Sequence, residues 1–288
     1  MASGLYSQHL HNRKVRYIRN TILTIVLVLF AAVSLFPIIY MLAWSFGPAI
    51  ESASTSYSIF PRTWTLESYK TFIEYSDYSL KWLWNSLLVS ILIVIGNVLF
   101  AGMAGYAFAK INFKGSKIMF FAVLVAMMIP YQVTQVPLYI LFVNKFQMTD
   151  TYAALILPSI CTSYNIFLAK QFFEGIPTAL IESAKIEGCN QLKTYCFIVV
   201  PLSKTIFAVM AINTFLSSWN NFFWPFLVTS KESMFTIQVG LKTFKFANGT
   251  LLSPMMAGAC ISAVPMFILF FSLQKYFLEG VTVGAVKG

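Results

Sequence analysis

IPTALIESAKIEGCNQLKTYCFIVVPLSK, residues 176–204, is the longest polar interruption in the second half of a very apolar chain. Pro177 has the fixed φ that suits a first helical turn. Leu180, Ile181, Ala184 and Ile186 give the following stretch a partly apolar surface, with Glu182, Lys185 and Glu187 among them. Gly188 stands where a left-handed helix stop belongs. Asn190 can cap a second helix, with Leu192, Tyr195, Cys196 and Val199 on one face. Pro201 marks its end or a bend into the next segment. The pattern predicts two short helices and a turn, a hairpin between two membrane spans that is shaped to dock onto something outside the lipid.

On either side of this hairpin the chain reads as membrane. Of its 288 residues, 58% are hydrophobic and 10% charged, against about 25% charged in soluble domains; the mean hydropathy is +0.73. Six segments reach the roughly 20 apolar residues needed to cross the hydrocarbon. They are expected at about 21–45, 82–109, 118–143, 152–173, 205–228 and 254–274. The first is too long for the apolar part of a cleaved signal and is expected to stay as an anchor; Pro37 is a point where it can bend. Residues 1–20 form a basic cytoplasmic segment, 21–275 a transmembrane domain and 276–288 a cytoplasmic tail.

Charge sets the orientation. With the N-terminus inside, thirteen of the twenty lysines and arginines fall on the cytoplasmic side, so both termini and the hairpin are expected there. The net charge of +10 thus has a topological origin, with no basic stripe for nucleic acid. Cys161, Cys189, Cys196 and Cys260 lack zinc or redox spacing and read as small apolar fillers. His9 and His11 read as solvated residues of the N-terminal segment, and no metal site is expected. On these boundaries no Asp, Glu, Lys or Arg lies deep in a span, so ion coupling has no visible seat. No phosphate-cradling loop, zinc-protease motif or nucleophile elbow occurs. The energy must come from elsewhere, or the protein is a passive pore.

Residues 182–189, ESAKIEGC, with Pro201 thirteen residues past Gly188, resemble the EAA signature of permease subunits in binding-protein-dependent ABC importers. Glu182, Ala184, Gly188 and Pro201 match it, while Ser183, Glu187 and Cys189 are modest departures. SWNNF at 218–222 and GAVKG at 284–288 resemble the maltose-type (MalG-like) carbohydrate branch. The resemblance spans the whole chain. It implies an all-α, six-span type I importer permease in the cell membrane that pairs with a second permease, an ATP-binding subunit dimer and an extracytoplasmic solute-binding protein. The cargo would be a sugar, most readily a di- or oligosaccharide. ATP and Mg²⁺ would be bound by the partner ATPase, with no cofactor on this chain and no enzymatic activity of its own.

On that resemblance Glu182, Ser183, Ala184, Glu187, Gly188 and Pro201 form the ATPase-coupling set. The bland alternative is a Glu182–Lys185 helix pair worth about 0.2–0.5 kcal/mol. Gly284, Lys287 and Gly288 are either a second docking point or a frayed end. A sugar path calls for uncharged hydrogen-bonding groups and aromatic faces. Trp219, Asn220, Asn221, Gln132, Gln135, Asn97 and Asn165 are its candidates, with Ser217, Ser218, Tyr164 and Trp224 beside them. Buried amides also tie helices together without touching cargo. Pro130 and Pro137 are expected to break the third span, with Gln132 and Gln135 in the break. A self-contained channel or facilitator is the main alternative, and it would not need the hairpin.

Overall fold

The computed structural model describes residues 2–49, 58–246 and 249–285. Helices dominate. They are α1 (Ala2–Ser45), α2 (Glu67–Glu74), α3 (Ser79–Lys110), α4 (Ser116–Met128), α5 (Tyr131–Lys145), α6 (Tyr152–Ser159) and α7 (Ser163–Glu174). Then follow α8 (Thr178–Ile186), α9 (Gln191–Leu202), α10 (Lys204–Trp219), α11 (Phe223–Val228), α12 (Ile237–Lys242) and α13 (Leu252–Ala285). Among the described residues the one departure from an all-helical chain is a two-residue ladder, Lys245–Phe246 with Gly249–Thr250.

Three helices are long and apolar enough to cross a membrane, Arg16–Ser45, Ser79–Lys110 and Leu252–Lys275. Three bent pairs raise the number to six if each pair is one span: α4 with α5 (97°), α6 with α7 (41°) and α9 with α10 (83°). The side chains of 16–45 are largely exposed, with Leu29, Phe30 and Val33 at 61%, 72% and 74%. A continuous apolar helix of this kind is stable only against lipid or another protein. It runs unbroken through Pro37.

Contacts divide the chain into two compact units, residues 1–72 with 246–260 and residues 73–245 with 261–288. In the first, the Ser68 hydroxyl donates to the Gly47 carbonyl (2.6 Å), Ser45 Oγ and Tyr69 Oη share a hydrogen bond (2.9 Å), and Trp44 is fully buried.

The second unit holds two apolar clusters. One gathers Ala101, Tyr106, Ala169, Phe173, Ile176, Ile181, Tyr195, Val199, Ile206 and Met210. The other gathers Val89, Ile93, Phe142, Ala154, Leu155, Trp224 and Val228.

Two of the helix breaks have a local cause in neighbouring residues. Ile129 before Pro130 is extended (φ −76°, ψ 121°), as a residue preceding proline is pushed to be, and α4 stops there. Pro137, expected to break the same span, stays inside α5, which loosens into a π turn at Ile140–Lys145. The break between α6 and α7 was not expected; Pro158 stands in the 3₁₀ turn Leu157–Ser159 that closes α6 just before it. The break is stitched by Asn97, whose amide donates to the Ser159 carbonyl (2.7 Å) and whose Oδ1 accepts from the Thr162 backbone N–H (2.9 Å). At Gly96 a side chain would run into Ile160, including its carbonyl oxygen at 2.8 Å. The notch at 96 and the amide at 97 therefore seat the break and supply the backbone bonds it loses.

Cys161 and Cys196 lie exposed and Cys189 and Cys260 half-buried, all with free thiols. Two of the expected fillers are thus surface groups.

Candidate functional site: a tethered hairpin and a neutral polar cavity

The hairpin is α8, a turn, and α9. Pro177 precedes the helix (φ −56°, ψ 127°), its carbonyl accepting from the Leu180 N–H. The turn is a Schellman stop: the Cys189 N–H donates to the Ala184 carbonyl (2.9 Å) and the Gly188 N–H to that of Lys185 (3.0 Å). That pattern demands a left-handed residue, and Gly188 has φ +82°. Asn190 then caps α9, its Oδ1 accepting from the Lys193 N–H (2.8 Å).

The inner face of the hairpin is sewn to the bundle. Ile181 and Ala184 are buried. The Tyr106 hydroxyl donates to Gln191 Oε1 (2.9 Å), and the Tyr106 and Tyr195 rings lie 5.3 Å apart. Lys110 Nζ donates to the carbonyl of Ile176 (2.6 Å) and to that of Glu174 (3.3 Å). Tyr106 and Lys110 are positioning residues that sequence reasoning missed; only the tertiary contact identifies them.

On the outer face Glu182, Ser183, Glu187, Gly188 and Pro201 are exposed. The side-chain pairing Glu182–Lys185 is not made, whereas Lys170 and Glu174 do pair (2.5 Å). Ala184 lies beneath, facing the bundle. The expected stripe on α9 is corrected: Tyr195 and Val199 are buried with Thr194, while Leu192 and Cys196 are exposed. A π turn over Tyr195–Val199 shifts the register that the 3.6-residue period assumed.

The second site is a cavity of about 610 Å³ in the second unit, lined from α3, α5, α6, α7, α10, α11 and Thr236. Its polar wall includes Ser86, Ser90, Thr162, Tyr164, Asn165, Asn213, Ser217, Ser218 and Asn221, with Tyr131 and Trp224 among its rings. Asn165 is fixed by a hub: its amide donates to Asn97 Oδ1 (2.9 Å) and to Thr214 Oγ1 (2.8 Å). Ser90 Oγ donates to Ser218 Oγ (3.1 Å), and Asn221 Oδ1 accepts from the Trp224 N–H (3.4 Å).

Of the proposed path residues, Asn165 and Asn221 are in this wall. Asn97 lies behind it, fully buried, and Trp219 is buried with its indole N–H donating to the Ser262 carbonyl (3.1 Å). Asn220 is exposed and bonds its own helix at Leu216. Gln132 is exposed outside the cavity, and Gln135 is buried, donating to the Tyr131 carbonyl (3.3 Å). Both follow the break at Pro130 instead of sitting in it. Asn213, Tyr131 and Ser90 enter the wall without having been singled out. Asn213 lies four residues before Ser217, a helical spacing from which it could have been found. In the tail, Gly284 belongs to the last turn of α13, and Lys287 and Gly288 lie outside the described residues.

A helical membrane protein with a tethered, outward-facing EAA-like hairpin and a polar cavity between its helices is a transport subunit. The chain belongs to the family of binding-protein-dependent transport system inner membrane components, whose model matches residues 97–283. It is a multi-pass protein of the cell membrane. It is 37% identical over 280 residues to the arabinooligosaccharides transport system permease protein AraQ of Halalkalibacterium halodurans, covering 96% of this chain and 99% of that one. The protein of the same name from Bacillus subtilis strain 168 is 34% identical, over 92% and 95% of the two chains. The fold is shared with a chain of a bacterial ABC transporter involved in import of the acidic polysaccharide alginate, solved by crystallography (TM-score 0.79, 21% identity, 90% and 96% coverage).

Proposed function

We propose that this chain is one half of the membrane channel of an ABC importer for sugars, passing di- or oligosaccharides into the cell by alternating access. In this reading a second permease completes the channel and an extracytoplasmic solute-binding protein delivers the cargo. A dimer of ATP-binding subunits seats α8–α9 in a groove, with ATP and Mg²⁺ held there. Both termini and the hairpin lie in the cytoplasm, following the lysine and arginine distribution. The sugar passes the cavity walled by Asn165, Asn213 and Asn221. Gly284, Lys287 and Gly288 of the tail make a second contact with the ATPase.

The observation that carries this reading is the two-sidedness of the hairpin. Its inner face is bound to α3 and α7 through Tyr106 and Lys110, so a push on it reaches the bundle. Its outer face offers the carboxylates Glu182 and Glu187, unpaired among the described residues and ready to accept charge-assisted hydrogen bonds from a partner's cations. The names of the two relatives support oligosaccharide as the cargo.

The test is purification of this chain with its genomic neighbours, followed by ATPase assay in vesicles. A bound ATPase whose rate rises with sugar-loaded binding protein is expected. A chain that purifies alone and conducts sugar without ATP would replace this reading with a facilitator.

A further inference from the structure

We infer that the cavity accepts uncharged, polyhydroxylated cargo and rejects glycans that carry carboxylate or phosphate groups. This rests on the proposal that the cavity is the cargo path.

All the side chains lining it are neutral. Among them Asn213, Ser217 and Tyr164 have no hydrogen-bond partner within the described residues, so their polar groups are free for a ligand. A carboxamide and a hydroxyl each offer a donor and an acceptor. A sugar hydroxyl offers the same pair, so the match works in both directions.

An anion can use only the donors. Its charge would leave water for a wall whose other residues include Val89, Ile93, Leu155 and Trp224, with no cation among the lining side chains, and an unpaired charge in such surroundings is costly. Lys242, on the Phe222 and Phe226 rings beside the wall, is held over them (3.6 Å to the Phe226 centroid) and is not itself a lining residue. Arginine is the side chain best built for carboxylate and phosphate. The four arginines of the chain are Arg13, Arg16, Arg19 and Arg62, all outside the unit that holds the cavity. Lys170 is engaged by Glu174 and by the Phe120 ring (4.4 Å). Lys204 stands nine residues before Asn213 on α10, roughly 13 Å along the axis. The volume, about 610 Å³, falls within the range of about 300–1,000 Å³ typical of small-molecule sites, which suits a short oligosaccharide.

The test uses the intact transporter in detergent with Ser217→Cys, and in parallel Asn213→Cys, in a background free of other cysteines. Alkylation by an uncharged maleimide is timed with arabinotriose, maltotriose or trigalacturonate present. Slowing of several-fold by at least one neutral trisaccharide, with no slowing by trigalacturonate at either position, is expected. Equal or stronger protection by trigalacturonate overturns the inference, and so does the absence of protection by all three. Gel filtration of each variant complex reports its assembly. The ATPase assay above reads the importer proposal separately: stimulation by loaded binding protein without sugar protection would leave the importer standing and remove the neutral site.

Discussion

At Gly188 a Cβ would meet no atom within 4 Å. A substitution there is penalised by the backbone alone, because the left-handed conformation costs an ordinary residue about 1–2 kcal/mol. Gly188→Val is therefore expected to leave the complex assembled while uncoupling ATP hydrolysis from transport, measured as sugar moved per ATP consumed in vesicles. Gly188→Asn should retain most of the coupling, since asparagine tolerates this conformation. Asn97 poses the opposite case. Its Oδ1 accepts from the Thr162 N–H, the Thr162 hydroxyl and the Asn165 amide. Asn97→Ala would strand those donors at about 1–3 kcal/mol for each one left unmet, and a marked fall in the thermal midpoint of the purified complex is expected. Gly188 and Asn190 were legible in the sequence because their roles are set by the backbone within five residues. Asn97 was legible as a polar residue in a span, but the groups it clamps, at Ser159, Thr162 and Asn165, lie more than sixty residues away, so its clamp was not.

Among the elements, the breaks decide how apolar helices make room for a polar cavity. Proline identifies the one at Ile129; at Ile160, Pro158 lies in the closing 3₁₀ turn, but it is Gly96 and Asn97 of a neighbouring helix that seat the break and meet its backbone groups. Gly96→Val is expected to push α3 away from the break, because the new atom meets a carbonyl oxygen that cannot swing aside. Overpacking of this kind costs typically 1–3 kcal/mol, or about that much of the complex's stability, readable by denaturation of the purified complex. The hairpin's tether offers a milder test. Lys110→Met removes a cation from the carbonyls at the end of α7, a contact worth about 0.3–1 kcal/mol. The fold should persist, with sugar moved per ATP reduced, because the push enters the bundle less firmly. Unchanged coupling would assign Lys110 a purely local role.

For the whole molecule, the exposed apolar surface of α1 and the two ends of the chain raise the question of sidedness. A cysteine at Lys114, exposed in the turn between α3 and α4, is expected to react with a membrane-impermeant maleimide in inverted vesicles and to be protected in right-side-out ones. The reverse pattern would invert the topology and move the hairpin out of an ATPase's reach. Three helices are unbroken and long enough to span, and three bent pairs would add three more if each is one span, a division that hydropathy over twenty residues blurs because both kinds are equally apolar.

Membrane class, the hairpin with its glycine stop and asparagine cap, and the motif that leads to the family are all written in the sequence, since each depends on composition or on contacts between near neighbours. Which amides face the cavity and which merely fasten helices was decided by the tertiary structure. Asn221 and Asn220 are adjacent in the chain, yet one reaches the wall and the other turns to its own helix at Leu216. In an apolar medium a carboxamide goes wherever its hydrogen bonds are met, and that depends on which distant segment the fold brings beside it.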